Sequence, residues 1–310
     1  MMGTVLKSTG SWYLVQAEDG RGVHCTLKGK FRMQGSKATN PVSVGDVVEM
    51  SLNRNEDTGI ITEIRPRNNY IVRRATKLSK RSHIIAANID QATLIVTLAL
   101  PRTSLGFIDR FLITCEAYHI PASIVFNKVD VYDDPMMAQM RRYKDIYEQA
   151  GYPCLEVSAK SGENLDRLIL MLKDKITLLA GHSGVGKSTL INMIEPGLDL
   201  KTRPLSEMHR KGKHTTTFAE MFPLSSGGFI IDTPGIKEFG LYDFTPEEVA
   251  ERYPEMRSRM QGCRYHNCTH IHEPGCAVKE AVEKGDIPYE RYDNYIRIVN
   301  DDELLKKERR

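Results

Sequence analysis

Ile176-Thr177-Leu178-Leu179-Ala180-Gly181-His182-Ser183-Gly184-Val185-Gly186-Lys187-Ser188 decides the fold. Its first five residues are apolar enough for a buried strand, and residues 189–194 read as the start of a helix. Between them, Gly181-x-x-x-x-Gly186-Lys187-Ser188 matches the Walker A pattern in full. The chemistry needs those residue types. Glycines let backbone N–H groups turn inward around a β-phosphate, and the helix N-terminus adds its positive dipole end. Lys187 is expected to reach the β- and γ-phosphates and to act in catalysis, and Ser188 to ligate Mg²⁺. His182, Ser183, Gly184, Val185 and Thr189 complete the phosphate-binding set.

Working outward, the same strand–loop pattern recurs with different chemistry at each loop. Residues 120–126 form an apolar run that delivers Asn127-Lys128-Val129-Asp130, and residues 153–157 deliver Ser158-Ala159-Lys160. A carboxylate at Asp130 accepts from both N1–H and N2–H₂ of guanine. Adenine lacks that donor pair and would leave the acceptor unpaired. Asn127 can bond the guanine edge and tie loops together, the Lys128 stem can cover the base face, and the Ala159 N–H can meet guanine O6. Downstream, Gly228-Phe229-Ile230-Ile231 feeds Asp232-Thr233-Pro234-Gly235. Asp232 is expected to hold Mg²⁺ through water, and the Gly235 N–H to meet the γ-phosphate. One of Thr215, Thr216 and Thr217 should bind Mg²⁺; Thr217 is favoured, with Thr216 the other reading. His214, just before them, positions or activates the attacking water, or else is a solvent-exposed loop residue or an RNA-phosphate contact. Ile236 stands where many signalling GTPases carry a water-orienting Gln.

The order of these parts is unusual. An ordinary GTPase begins with the phosphate loop and ends with the base-reading motifs; here residues 127–130 and 158–160 come first. The alternation of strand and helix predicts a parallel α/β sheet with its loops at the carboxyl ends of strands, circularly permuted, over residues 76–240. Residues 1–75 read as all-β, with about five short alternating strands and an OB-fold barrel as the expected form. Residues 241–310 turn helical and polar. There, Cys263-x₄-Cys268-x-His270-x₅-Cys276 is a closed three-thiolate, one-imidazole set for a structural Zn²⁺, with His266 and His272 as competing ligands. Such a small polar domain needs a staple.

Bulk properties exclude other classes. No run nears the roughly 20 apolar residues of a membrane helix, and the first residues lack a signal peptide's apolar core. The expected compartment is the cytosol, where the six cysteines are reduced or metal-bound; Cys25, Cys115 and Cys154 read as buried thiols. The net charge of +3 says little. Its distribution says more. Arg65, Arg67, Arg73, Arg74, Lys77, Lys80 and Arg81 form one basic run, and Lys201, Arg203, Arg210, Lys211 and Lys213 a second. Either is a solvated face or a footprint for a phosphate backbone.

Taken together, the barrel, the permuted motifs, the Gly212-Lys213-His214-Thr215-Thr216-Thr217 segment and the Cys263, Cys268, His270, Cys276 set resemble the ribosome small-subunit-dependent GTPase A family over essentially the whole chain. The resemblance implies an enzyme that hydrolyses GTP to GDP, and a monomer is the default expectation. It also implies binding to the 30S subunit and its 16S rRNA, stimulation by the subunit, and action as a late assembly checkpoint. Lys213 departs from the arginine often found before the histidine in that family, keeping the charge without bidentate geometry. The competing reading is a GTP-regulated RNA-binding module with little intrinsic turnover. The permuted order adds one expectation: residues 236–241 form a short covalent route by which GTP state sets the orientation of the zinc domain.

Overall fold

The structure is a computed structural model that describes residues 1–29, 41–53, 58–74, 82–200, 219–232 and 244–300. The expected barrel is present. Strands β1 (Met2–Ser8), β2 (Tyr13–Ala17), β3 (Gly22–Leu27), β4 (Val47–Leu52) and β5 (Thr58–Ile64) run in the order β1-β2-β3-β5-β4, and β4 pairs back onto β1. Every join is antiparallel except β3 with β5. Side chains alternate across a strand, so Val5, Tyr13, Val15, Val23, Cys25, Val48, Met50 and Ile61 meet inside as one core. Gly45 is required where the barrel approaches the next unit: its φ is +85°, and a Cβ there would lie 2.1 Å from the Ala87 carbonyl oxygen.

Part of the first basic run turns inward. Arg67 clamps the fully buried Asp46 through Nε–Oδ1 (2.6 Å) and Nη2–Oδ2 (2.7 Å) and also donates to the Pro41 carbonyl. Arg65 pairs with Glu49 and Glu63 on the barrel wall. These two residues therefore serve the barrel, correcting the reading of the whole run as one face. A two-stranded ribbon, β6 (Tyr70–Arg74) with β7 (Ser82–Ala87), follows. The sequence reading missed it, because basic residues interrupt its alternation.

The next unit is the expected α/β sheet. Its elements are β8 (Gln91–Val96), α1 (Leu105–Ala117), β9 (Ala122–Phe126), α2 (Asp134–Gln149), β10 (Cys154–Glu156), α3 (Leu165–Leu172), β11 (Ile176–Ala180), α4 (Lys187–Ile194), β12 (Glu220–Pro223) and β13 (Phe229–Asp232). The order β10-β9-β8-β11-β13 is parallel throughout, and β12 adds antiparallel to β13. Helices cover both faces, which is why all of β8 is buried. One face packs Leu94, Phe111, Phe126, Leu178 and Ile231 together; the other packs Ile95, Val125, Leu179, Leu190, Ile191 and Ile230. The outer edge of β12 receives β1 of the barrel, with Lys7 opposite Glu220, so barrel and α/β unit share one 11-stranded sheet.

The C-terminal unit comprises α5 (Pro246–Glu251), α6 (Pro254–Arg257), α7 (Ala277–Glu283) and α8 (Tyr289–Val299). Thr245 and Glu248 cap α5 reciprocally. The core of this unit, with Val249, Tyr253, Met256, Val278, Ile287, Tyr295 and Ile298, also takes in Ile113 from α1. Beside it lies a buried polar hub. Arg291 of α8 is 1% exposed; it bonds Asp109 of α1 (2.5 Å) and Glu255 of α6 (2.7 Å) and lies 4.3 Å from the Tyr253 ring centroid. Asn294 and Tyr147 donate to the remaining capacity of Asp109. Burial disfavours the guanidinium charge, but Asp109 and Glu255 hold Arg291 protonated well above its ordinary range. The covalent route expected at residues 236–241 lies outside the described residues. The described ones join the two units through α1 and α8 instead.

Of the thiols outside the cysteine cluster, Cys25 and Cys115 are buried as expected, and burial pushes Cys25 up to about 11. Cys154 is half-buried, at the edge strand β10, which corrects its expected full burial.

Candidate nucleotide site and metal centre

The carboxyl ends of β9, β10, β11 and β13 deliver the motif residues to one edge of the sheet. Asn127, fully buried, joins two of them. Its Nδ2 donates to the Val185 carbonyl in the phosphate loop (2.8 Å), and its Oδ1 accepts from Ala159 N (3.2 Å). Both ends of the carboxamide are therefore engaged in tying loops, and the Ala159 amide expected at guanine O6 faces Asn127. The same contact explains Gly186. Its φ is +92°, and a Cβ there would sit 2.4 Å from Asn127 Nδ2.

Asp130 is exposed, while its neighbour Val129 is buried and anchors the loop. Ser158 Oγ donates to Asp130 Oδ1 (2.6 Å) and accepts from Lys160 N and Ser161 N, so the second base-reading loop orients the carboxylate of the first. Lys128 adopts φ +69° and donates from Nζ to the carbonyls of Gly184 (2.7 Å) and Leu100. Its stem thus lies against the phosphate loop. Burial lowers its pKa, opposed by the nearby Asp130. Tyr132, which the sequence reading did not single out, locks this corner: its hydroxyl donates to the Asn127 carbonyl and accepts from Leu98 N, both at 2.8 Å. An aromatic residue after a loop motif carries no periodic signal that would have marked it.

In the phosphate loop, Gly181 and Val185 are buried, Gly184 and Ser188 half-buried, and Ser183 and Thr189 exposed. Lys187 pairs with Asp232 at the end of β13, so the phosphate-binding candidate and the Mg²⁺-ligand candidate are in contact. The carboxylate already faces a cation, which is the chemistry a divalent ion would require there. The His182 ring lies 3.7 Å from that of Phe107 on α1, centroid to centroid, at 30°. His214, Thr215, Thr216, Thr217 and Gly235 lie outside the described residues.

The cysteine cluster assembles as expected. One ligand atom each from Cys263, Cys268, His270 and Cys276 lies within 4.8 Å of the others. The Sγ atoms of Cys263 and Cys276 are 3.9 Å apart, and His270 Nδ1 is 3.5 and 3.3 Å from them. A tetrahedral ion with bonds of about 2.3 Å to sulfur and about 2.0–2.1 Å to nitrogen puts neighbouring ligand atoms roughly 3.5–3.8 Å apart. The residues therefore fit such an ion, with His270 offering Nδ1. His266 and His272 are exposed and lie outside the group.

The ligand loop is held from behind by residues the sequence reading passed over. Glu273 accepts from Thr269 Oγ1 (2.6 Å) and from the amides of Thr269, Ile271 and His272. Burial opposes its charge, but these bonds bring its pKa down to about 2. Tyr292 and Tyr295 of α8 donate to the carbonyls of His270 (2.7 Å) and Thr269 (2.5 Å). The same helix thus carries Arg291 and buttresses the cluster.

Residues 2–61 match the RsgA N-terminal domain and residues 64–242 the RsgA GTPase family. The chain is 52% identical over 305 residues to the small ribosomal subunit biogenesis GTPase RsgA of Christiangramia forsetii, covering 98% of this chain and 97% of that one. It is 50% identical over 306 residues to its counterpart in Porphyromonas gingivalis, covering 97% of each. Among solved structures, YjeQ from Thermotoga maritima superposes with a TM-score of 0.81 at 35% identity, covering 99% of both chains. YloQ, described as a circularly permuted GTPase, superposes at 0.77 with 29% identity, covering 99% of this chain and 96% of that one.

Proposed function

The chain belongs to the RsgA GTPase family, and from that premise we propose that it hydrolyses GTP on the 30S ribosomal subunit as a late assembly checkpoint. The observation that best supports a working nucleotide site is Asn127, whose side chain binds the phosphate loop to the second base-reading loop. Base recognition and phosphate binding then act as one rigid unit. In this reading, Asp130, oriented by Ser158, accepts the guanine donors, Lys128 flanks the base, and residues 181–189 cradle the phosphates. Ser188, Asp232 and either Thr217 or Thr216 would hold Mg²⁺, which offsets charge building on the phosphate oxygens. Lys187 leaves Asp232 for the phosphates when nucleotide binds. His214 orients the attacking water. Contact of residues 215–217 and 235 with the γ-phosphate gives tight subunit binding, and hydrolysis releases it. We assign the barrel and the second basic run to 16S rRNA, and the protein to the cytoplasm as a monomer. No helix among the described residues is long and apolar enough to cross a membrane.

Turnover measured with and without purified 30S subunits tests this reading. We expect clear stimulation, and His214→Ala to lower the stimulated rate about 100-fold while leaving subunit binding intact. Equal rates with and without subunits would instead favour a nucleotide-regulated RNA-binding module.

We assign Zn²⁺ to Cys263, Cys268, His270 and Cys276, in a structural role, because the set is closed and half to fully buried. Metal analysis of the purified chain should give about one zinc per chain, falling well below that in Cys268→Ser. Chelation should lower Tm and open residues 263–276 to protease, since Zn²⁺ binding contributes directly to folding. A metal-free preparation with an unchanged Tm would overturn the assignment.

A further inference from the structure

Lys7, Glu220 and Asp232 form one row across three strands. Glu220 lies directly opposite Asp232 in the β12–β13 ladder, and Lys7 directly opposite Glu220 at the β1–β12 join. Directly opposed residues place their side chains on the same face, with Cβ atoms about 4.5–5.5 Å apart. Alternation along β13 identifies that face: Ile231 packs in the core with Phe111, and Ile230 in the core with Leu190 and Ile191 of α4. Asp232 therefore shares the α4 face, where Lys187 meets it. Lys7 Nζ bonds both oxygens of Glu220, at 3.0 and 3.1 Å. The row thus reads plus, minus, minus, plus from the barrel to the phosphate loop.

The geometry points to Lys7 and Glu220 as a positioning pair for the Mg²⁺ carboxylate Asp232, one that lets the barrel set the charge felt there. The inference rests on the GTP–Mg²⁺ reading above. Glu220 puts a second carboxylate beside Asp232, and Lys7 neutralises it. Lys7 is 43% exposed, so an anionic phosphate docking on the barrel can compete for its ammonium. Drawing Lys7 away unmasks Glu220 and raises the negative potential at Asp232. Glu220 also stands three residues after Thr217 in the chain, so the pair holds the strand into which the switch segment leads.

The two single variants should move in opposite directions. The Mg²⁺ concentration that half-saturates retention of a fluorescent GDP analogue reports on metal and nucleotide binding without turnover. Glu220→Gln leaves Lys7 uncompensated and should raise that concentration about tenfold. Lys7→Met leaves Glu220 uncompensated and should lower it severalfold. The double variant Lys7→Met/Glu220→Gln should return close to the parent chain. A pair that merely holds the barrel to β12 would weaken retention in both single variants, leave the double variant no better, and so overturn the inference; so would two unshifted midpoints. If the parent chain itself showed no Mg²⁺ dependence, the GTP–Mg²⁺ reading would fall with it. A Mg²⁺-dependent parent with variants that do not diverge would sink this inference alone.

Discussion

Arg291→Met is expected to destabilise the folded protein by about 3–5 kcal/mol at neutral pH, with a smaller loss as the pH falls. The guanidinium is the shared partner of Asp109, which has no exposed surface, and of Glu255. Methionine fills much of the same volume but leaves two carboxylates without their cation beside the rings of Tyr147, Tyr152 and Tyr253. Burial already pushes the Asp109 carboxyl upward, with Arg291 among the groups opposing that rise. Without Arg291, its folded-state pKa climbs further above the unfolded value of about 3.9. The folded variant therefore binds a proton more readily than the unfolded chain, so its deficit is full at neutral pH and shrinks as the pH drops through the raised pKa. Denaturant midpoints of both proteins at pH 7.5 and about pH 5 would measure this. A deficit that did not change with pH would assign the loss to packing of the arginine stem and its ring contacts instead. The variant should also free the C-terminal unit from α1, making the 244–300 segment a faster protease target at its junctions. That outcome bears on how nucleotide state can reach the cysteine cluster. His182 stacks on Phe107 of α1, α1 carries Asp109, and α8 carries both Arg291 and the tyrosines behind the metal ligands. This chain of contacts joins the C-terminal unit to the phosphate-loop side of the sheet.

What the sequence made legible was whatever a ligand dictates. Phosphate cradling requires glycines and a lysine at set spacing after a strand, and a closed metal set requires four ligands within a short segment. Residues 181–188 and the Cys263, Cys268, His270, Cys276 set could therefore be read without a structure, as could the β-α alternation that places the loops. What stayed hidden depends on residues brought together by the fold from distant parts of the chain. Arg291 looked like one charge among many on a polar helix, and Asp109 like one polar residue in an amphipathic one. Their pairing appears only when α1 and α8 cross. Lys7 and Glu220 meet because β1 closes onto β12, a join that no local pattern announces. Arg67 belonged to a run of positive charge, and its inward turn toward Asp46 became visible only with the barrel closed. The ligands of a site are thus more legible than the residues that hold them. Asn127 is the exception that spans both groups: its motif marks it as a base reader, while its bonds to Val185 and Ala159 place it among the scaffolding.

Asp130→Asn is expected to weaken GTP binding by about 10³-fold and to transfer the preference to a nucleotide whose base carries oxygen at C2. In the proposed site the aspartate would present two acceptors to the N1–H and N2–H₂ donors of guanine. An asparagine in the same position presents one acceptor and one donor, so its NH₂ would face the guanine amino group, donor against donor. A site built for one hydrogen-bonding pattern rejects the unmatched one by about 10⁴ or more when its buried polar groups are left unpaired. Asp130 is exposed, which argues for the smaller figure. Xanthine, with a carbonyl at C2, restores the match, so XTP should bind the variant better than GTP does. The substitution is a clean probe because the structural bond survives: Ser158 Oγ donates to Asp130 Oδ1 at 2.6 Å, and an asparagine oxygen can accept the same bond. Loss of the loop is therefore not the expected cause of any change in affinity. Equilibrium binding of GTP and XTP to both proteins separates the possibilities. Equal losses for both nucleotides would mean that the loop had been damaged, and unchanged GTP affinity would mean that Asp130 does not meet the base.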